Sequence, residues 1–420
     1  MNVADEEKGL CIHVIFQSCS LISGATASYD TCCLNLLLEN KMIGLAGAAP
    51  LSQWALNNPG NIEIWFLPGK YIDAKGLERL VGAWIFADNL TNIGLRRNPL
   101  GPESAYMLSI LIKNSLKLRT LDLEQTKLGD HGSADLFGAL LPLQTRNVLE
   151  SKTPVPPPNC NSETTYGLTS LSPIWIKERG CGEEVQAIPP PTNINIDELT
   201  YKSTVALKNI YLNGVGAGGK TCWSVSLYLS HSLCPIESLY LCNNPVGHAG
   251  AVALAKGLAS NHSLLRLNLP SCGLKDEAVI VMFRALKAHL RLRSLGMQQS
   301  YMTRELRSQY YFFDDGVKDV LKTFVVGGPK SLMLLDLGDR AMSVPAIESS
   351  AADVTRSDSL IVFYAASIHG NGDEDVLGRM KRKLDENRQR IYGVDDATFS
   401  KTERRWLMDP KDADIVDSML

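Results

Sequence analysis

The 420-residue sequence lacks any run of 18 or more apolar residues, so it offers no helix able to span a membrane. It lacks an excess of either charge: 42 Lys and Arg against 45 Asp and Glu leave a net charge of −3, which argues against wholesale nucleic-acid binding. Its ten cysteines include no CxxC pair and none of the close, even spacing of a small disulfide-stapled domain. The seven histidines are scattered, with no HExxH arrangement, so spacing implies neither a zinc site nor another cofactor.

What is present is a repeat. The unit LxxLxLxxNxL, followed by an apolar helical stretch, begins at Ile62, Leu90, Leu118, Leu207, Ile236, Leu264, Leu292, Leu332 and Leu360. The steps are 28, 28, 89, 29, 28, 28, 40 and 28 residues, so the register is lost at only two insertions. Each unit predicts a short strand whose spaced apolar residues point inward, then a turn at the ninth residue, where Asn98, Asn244 and Cys272 stand. A polar side chain there can bond backbone groups that stacking would otherwise bury unpaired. The second half predicts an outer helix with apolar residues at spacings of three and four, such as Gly250, Ala251, Leu254, Ala255 and Leu258. Pro102 suits a first helical residue, where a missing amide costs nothing. One unit cannot cover these residues alone. Stacked neighbours can, at about 1.5–3 kcal/mol for each large side chain buried.

With its Leu-Gly or Val-Gly turn and Gly-Ala helix start, the pattern resembles the leucine-rich repeat of the ribonuclease-inhibitor type. That group includes ribonuclease inhibitor, the Ran GTPase-activating protein and the sensing domains of NOD-like receptors. The resemblance covers residues 33–371 apart from the insertions. It implies an α/β solenoid, a curved horseshoe with parallel strands on the concave side and helices on the convex side. Such a fold builds a surface for a partner without naming it.

One string competes with this reading. Gly214 to Thr221, GVGAGGKT, matches the phosphate-cradling GxxxxGK[ST] loop, and Leu332 to Asp336 resembles an apolar strand ending in a magnesium-holding Asp. Together they suggest an NTPase using Lys220. The register assigns them otherwise: Ala217-Gly218 falls where Val246-Gly247 falls one unit later, Thr221 matches Gly250, and Asp336 lies between two inward strand leucines. An NTPase also needs crossover helices around a sheet of its own, for which the flanking repeats leave no room. The preferred expectation is therefore a chain without enzymatic activity.

Residues between inward leucines should line the concave face. The middle position reads Phe66, Gly94, Asp122, Tyr211, Tyr240, Asn268, Gly296, Asp336 and Tyr364. Tyr211 and Tyr240 should stand side by side, flanked by Asp122 and Glu124 on one side and Asn268 on the other. An aromatic pair with polar neighbours suits a protein partner, because Tyr and Arg supply much interface energy. Packing along the ladder explains the pair equally simply. A small GTPase is the second candidate partner, by similarity to the Ran activator, with Arg96 and Arg97 near the strand ends. The acidic tail often seen in that family is missing, since residues after Arg390 mix both signs.

The remaining segments divide as follows. Residues 1–32 read as a truncated first repeat. The stretch from Leu10 to Ala27 makes a poor secretory signal because acidic Asp5, Glu6 and Glu7 precede it. Residues 142–204 form a Pro-rich insertion with the composition of a flexible spacer, and 303–315 a short one carrying Tyr310, Tyr311, Phe312 and Phe313. Residues 372–420 predict a closing helix and tail, with Arg379, Lys381, Arg382, Lys383, Arg388 and Arg390 either a solvated face or a nuclear import signal. Cys19, Cys222 and Cys272 fit buried thiols of a reducing compartment, and Cys32-Cys33 either packing or redox chemistry. The expected location is cytoplasmic, with the nucleus as an alternative.

Overall fold

The computed structural model describes residues 43–57, 59–61, 63–141, 205–298, 315–338, 344–365 and 374–393. The expectations placed on residues 1–32, the two insertions, Cys32-Cys33, the aromatic run at 310–313 and the tail lie outside them. The described strands and helices all belong to one compact unit.

Nine short strands lie in sequence order in one sheet: β1 Ile64–Phe66, β2 Asn92–Gly94, β3 Thr120–Asp122, β4 Asn209–Tyr211, β5 Ser238–Tyr240, β6 Arg266–Asn268, β7 Ser294–Gly296, β8 Leu334–Leu337 and β9 Val362–Ala365. Every neighbouring pair is parallel, in the register the repeat demands. Trp65 pairs with Ile93, Leu121 with Ile210 and Leu267 with Leu295. The 89-residue step between β3 and β4 is thus one coil carrying an insertion. Helices alternate with the strands: α1 Gly44–Asn57, α2 Ala74–Trp84, α3 Ala105–Asn114, α4 Gly129–Leu140, α5 Gly219–Leu229, α6 Gly247–Leu258, α7 Asp276–Leu286, α8 Asp315–Gly327, α9 Val344–Val354 and α10 Glu374–Tyr392. This is an α/β solenoid of leucine-rich repeats.

The core lies between strands and helices. The repeat leucines Leu95, Leu123, Leu212, Leu241, Leu269 and Leu337 are fully buried, as are the helix-stripe residues Leu136, Val225, Leu254 and Met282. At the first described coils the leucine place is taken by aromatics, with Trp65 packed between Trp54 and Trp84 at centroid distances of 6.3 and 5.4 Å.

Two polar ladders tie coil to coil. At the ninth position, Asn98 Nδ2 donates to the carbonyls of Leu67 and Leu95 at 2.7 and 2.8 Å, while its Oδ1 accepts from the amides of Lys70 and Ile72. Asn244 repeats the arrangement on Leu212, Leu241, Gly216 and Ala217. Thr126 and Cys272 donate to carbonyls in the same place, to Leu123 at 2.6 Å and Leu241 at 3.0 Å respectively. The residue just before each of these, the eighth of its unit, is left-handed, with φ of 61° at Arg97, 56° at Gln125, 57° at Asn243 and 56° at Ser271. At the opposite corner, the residue three before the first leucine accepts that leucine's amide: Asn261 from Leu264 at 2.8 Å and His289 Nδ1 from Leu292 at 3.1 Å. At the last coil, α10 turns Asn387 toward the carbonyls of Ser357 and Leu360 at 2.9 and 2.8 Å, and Arg388 toward that of Ile361 at 2.8 Å.

Replacing Asn244 by Ala strands buried donors and acceptors in two coils, so Asn244→Ala should cost about 3 kcal/mol in urea unfolding. His289 is held neutral: burial, then the nearby His262 and Arg291, press its imidazole from 6.5 down to about 4. Between those values the unfolded chain binds a proton that the folded chain refuses, so stability should fall by roughly 3 kcal/mol as pH drops through that window. His289→Asn keeps an acceptor at the corner and should flatten that slope while leaving stability at pH 8 within about 1 kcal/mol of wild type.

Candidate functional site

The sheet face turned away from the helices carries the residues expected to line it. Tyr211 and Tyr240 are side by side, their rings stacked at 4.5 Å with 13° between planes. They are not exposed as a binding patch would suggest: relative accessibility is 1% and 3%, and Asp122 is buried too. Flat stacking covers the facing surface of each ring. Asp122 is also tied locally, its Oδ1 accepting the amide of Glu124 at 3.0 Å. Glu124 and Asn268 are half-buried. Asn268 leans over the next coil, where a Cβ added to Gly296 would lie 2.1 Å from its Oδ1. Phe66 leans over Gly94 in the same sense, a Cβ there falling 2.3 Å from the ring. Arg96 is drawn into that packing, with its guanidinium 5.0 Å from the Phe66 centroid, whereas Arg97 is exposed at its left-handed turn. The two arginines therefore differ in surroundings, Arg96 half-buried against the ring and Arg97 in solvent.

The residue before each central strand leucine shares this face and was missed by counting only residues after it. The row includes Asn92, Thr120, Asn209, Ser238 and Arg266, joined by contacts such as Asn209 Nδ2 to Thr120 Oγ1 at 3.2 Å and Arg266 to Ser238 Oγ at 3.2 Å. Strand alternation carried the signal, since residues two apart point the same way. Arg266 is a buried guanidinium, its pKa lowered first by desolvation although Tyr240 and Tyr211 favour its charge.

The GVGAGGKT string has amides that converge on an anion, and the anion is internal. Asp130 of the preceding coil accepts from the amides of Gly218 at 2.7 Å, Thr221 at 2.8 Å and Lys220 at 3.2 Å, and from Thr221 Oγ1 at 2.8 Å. The amides of Gly216 and Ala217 go to Asn244, each at 2.9 Å, and Lys220 Nζ lies 2.9 Å from His131. Asp130 thus caps α5, whose own cap residue Gly218 has no side chain to do so. A Cβ at Gly218 would sit 3.0 Å from that carboxylate. Asp336 is four strands from β4, about 19 Å at ordinary strand spacing, and accepts the amide of Gly338 at 2.9 Å. The loop residues form a turn of the solenoid, and Asp336 lies on strand β8.

Burial pushes the thiols of Cys222 and Cys234 up to about 12 and 11, which leaves both inert at neutral pH. Among the described residues, no group of three His, Cys, Asp or Glu side chains is placed to hold a metal, and no helix is long and apolar enough to cross a membrane. Burial alone would raise the Asp130 pKa, but its bonds from Thr221, Gly218 and Lys220 bring it below 3.8. Its stabilisation is complete above that value and is lost as pH falls through the lower, folded one. Asp130→Ala should cost about 2 kcal/mol at pH 7 in denaturant unfolding and loosen amide exchange at Gly218 and Thr221, and the difference from wild type should shrink below pH 3.8.

No family model matches the chain. Over 268 residues, 63% of its length, it is 25% identical to human "NACHT, LRR and PYD domains-containing protein 5", and the match spans 19% of that protein. Among solved structures, the tropomodulin C-terminal domain of Caenorhabditis elegans aligns over 41% of this chain and 95% of that one, at 11% identity and a TM-score of 0.33. The human relative and the nine-stranded register agree on one statement: this chain is similar in sequence to a leucine-rich repeat protein and is built as one.

Proposed function

We propose that the chain is a non-enzymatic, intracellular protein-binding scaffold whose leucine-rich repeats are of the ribonuclease-inhibitor type. The observation that carries this reading is the sheet face away from the helices. Its strands are fixed by a continuous parallel ladder, yet they present Asn, Thr, Asp, Tyr and Arg where an apolar sheet would present leucines. A rigid surface with varied polar and aromatic side chains recognises a partner at low entropic cost. Tyr211, Tyr240 and Asp122 form its floor, and Glu124 and Asn268 its accessible rim. The 28-residue step and Gly-Ala helix starts support the repeat type. The buried free thiols of Cys222 and Cys234 suit a reducing compartment. The human relative's name includes leucine-rich repeats among other domains, and its kinship supports a recognition role over a catalytic one.

The test compares what the intact chain captures from cells with what its variants capture. Glu124→Lys combined with Asn268→Lys should reduce recovery of specific partners roughly tenfold or more, in line with charge reversal at an interface. Lys256→Glu, on the helix side beside Trp223, should leave recovery unchanged. Equal loss in both variants, or in neither, would remove the strand face as the binding surface.

A further inference from the structure

A second surface lies at the corner where helices return to strands. In the three successive coils that lead into β6, β7 and β8, the place two before the first leucine is held by His262, Leu290 and Lys330. Neighbouring coils are about 5 Å apart at the sheet, so these side chains form a short row. Leu290 is 77% accessible, the most exposed large apolar side chain among the described residues. Lys287 and Arg291 flank it on its own coil, and both are exposed, as is Lys330.

Several charges elsewhere at this corner are matched. Lys208 pairs with Glu237 at 2.8 Å, Lys383 with Asp358 at 2.9 Å and Arg356 with Asp353 at 3.9 Å. Among the described residues, no carboxylate is paired with Lys287, Arg291 or Lys330. A lone exposed leucine is ordinary on a protein surface. One ringed by three cations that have no carboxylate partner among the described residues suits a ligand with an apolar residue and carboxylates. The buried His289 directly beneath reports the same positive field, because His262 and Arg291 both disfavour its protonation.

We propose that this corner binds an acidic protein segment, seating one apolar side chain on Leu290 and setting carboxylates against Lys287, Arg291 and Lys330. The row is two coil spacings long, which matches a few residues of extended chain. A membrane surface would call for a broader apolar set, and Leu233, the next most exposed leucine, stands two coils away. The surface is separate from the strand face, so either reading can fail without the other.

The probe is a synthetic peptide of six glutamates around a central leucine, titrated into the full chain by fluorescence anisotropy at low and high ionic strength. Saturable, salt-sensitive binding is expected, weakened roughly tenfold by Arg291→Glu with Lys330→Glu and several-fold by Leu290→Ser. In parallel, the His289 imidazole followed by NMR should titrate at higher pH when the peptide is bound, as carboxylates offset the local positive charge. Unchanged thermal midpoints would show that the exposed substitutions leave the fold intact. Absence of saturable binding, equal binding by all variants, or preference for phosphatidylserine vesicles over the peptide would overturn the proposal.

Discussion

A turn that follows a strand carries amides and carbonyls that its own coil leaves unpaired, and among the described residues several are met by a neighbour: Asn98 reaches back to Leu67, Asn244 to Leu212, and Asp130 forward to Gly218 and Thr221. The same dependence governs the apolar residues, since a strand of three residues and one helical stripe cannot shield their leucines without an adjoining coil. Stability is then shared between nearest neighbours. Asn387 and Arg388 of α10 likewise bond carbonyls of the coil that carries β9. Coupling of this kind keeps the strands rigid in register, which makes a row of side chains on their open face usable for recognition.

The coil register was legible because the period is long, repeated and tied to residue types with one physical role each. Leu207 could be matched to Leu118 across 89 residues because an insertion changes the count without altering the leucine spacing on either side. The stacking of Tyr211 on Tyr240 followed from the same register. Their burial did not, because sequence spacing says which face a side chain takes and nothing of what lies against it. Arg266 was overlooked through an incomplete use of alternation, not for want of signal. The bond from Asp130 to the next coil was illegible for a different reason: it joins residues about 90 positions apart across an insertion and depends on where a carboxylate points.

Glycines on the strand face show how a small residue can serve its neighbour. Gly94 and Gly296 admit Phe66 and Asn268 from the preceding coil, so these two side chains slant across the sheet. That slant places Arg96 against an aromatic ring and takes it from the solvent-facing edge where Arg97 remains. Adjacent residues of like chemistry thereby acquire different roles, and a pattern that counts both as available cations overstates the edge's charge.

The Gly-rich string makes the same point about anions. A helix start offers unpaired amides and the positive end of a dipole, so it attracts negative charge whether that charge is a phosphate or a carboxylate. In an NTPase the loop holds its amides open for a ligand. Here the loop amides go to the Asp130 carboxylate and the Asn244 side-chain oxygen, and Lys220 lies against His131. A nucleotide would have to displace a carboxylate already desolvated and held by several donors, and then leave that charge buried without them. The requirement for apposed Gly residues is therefore genuine in both settings. The approaching group differs: at Gly218 it is the side chain of the coil before, and the same contact that defeats the nucleotide reading fastens α5 to the solenoid.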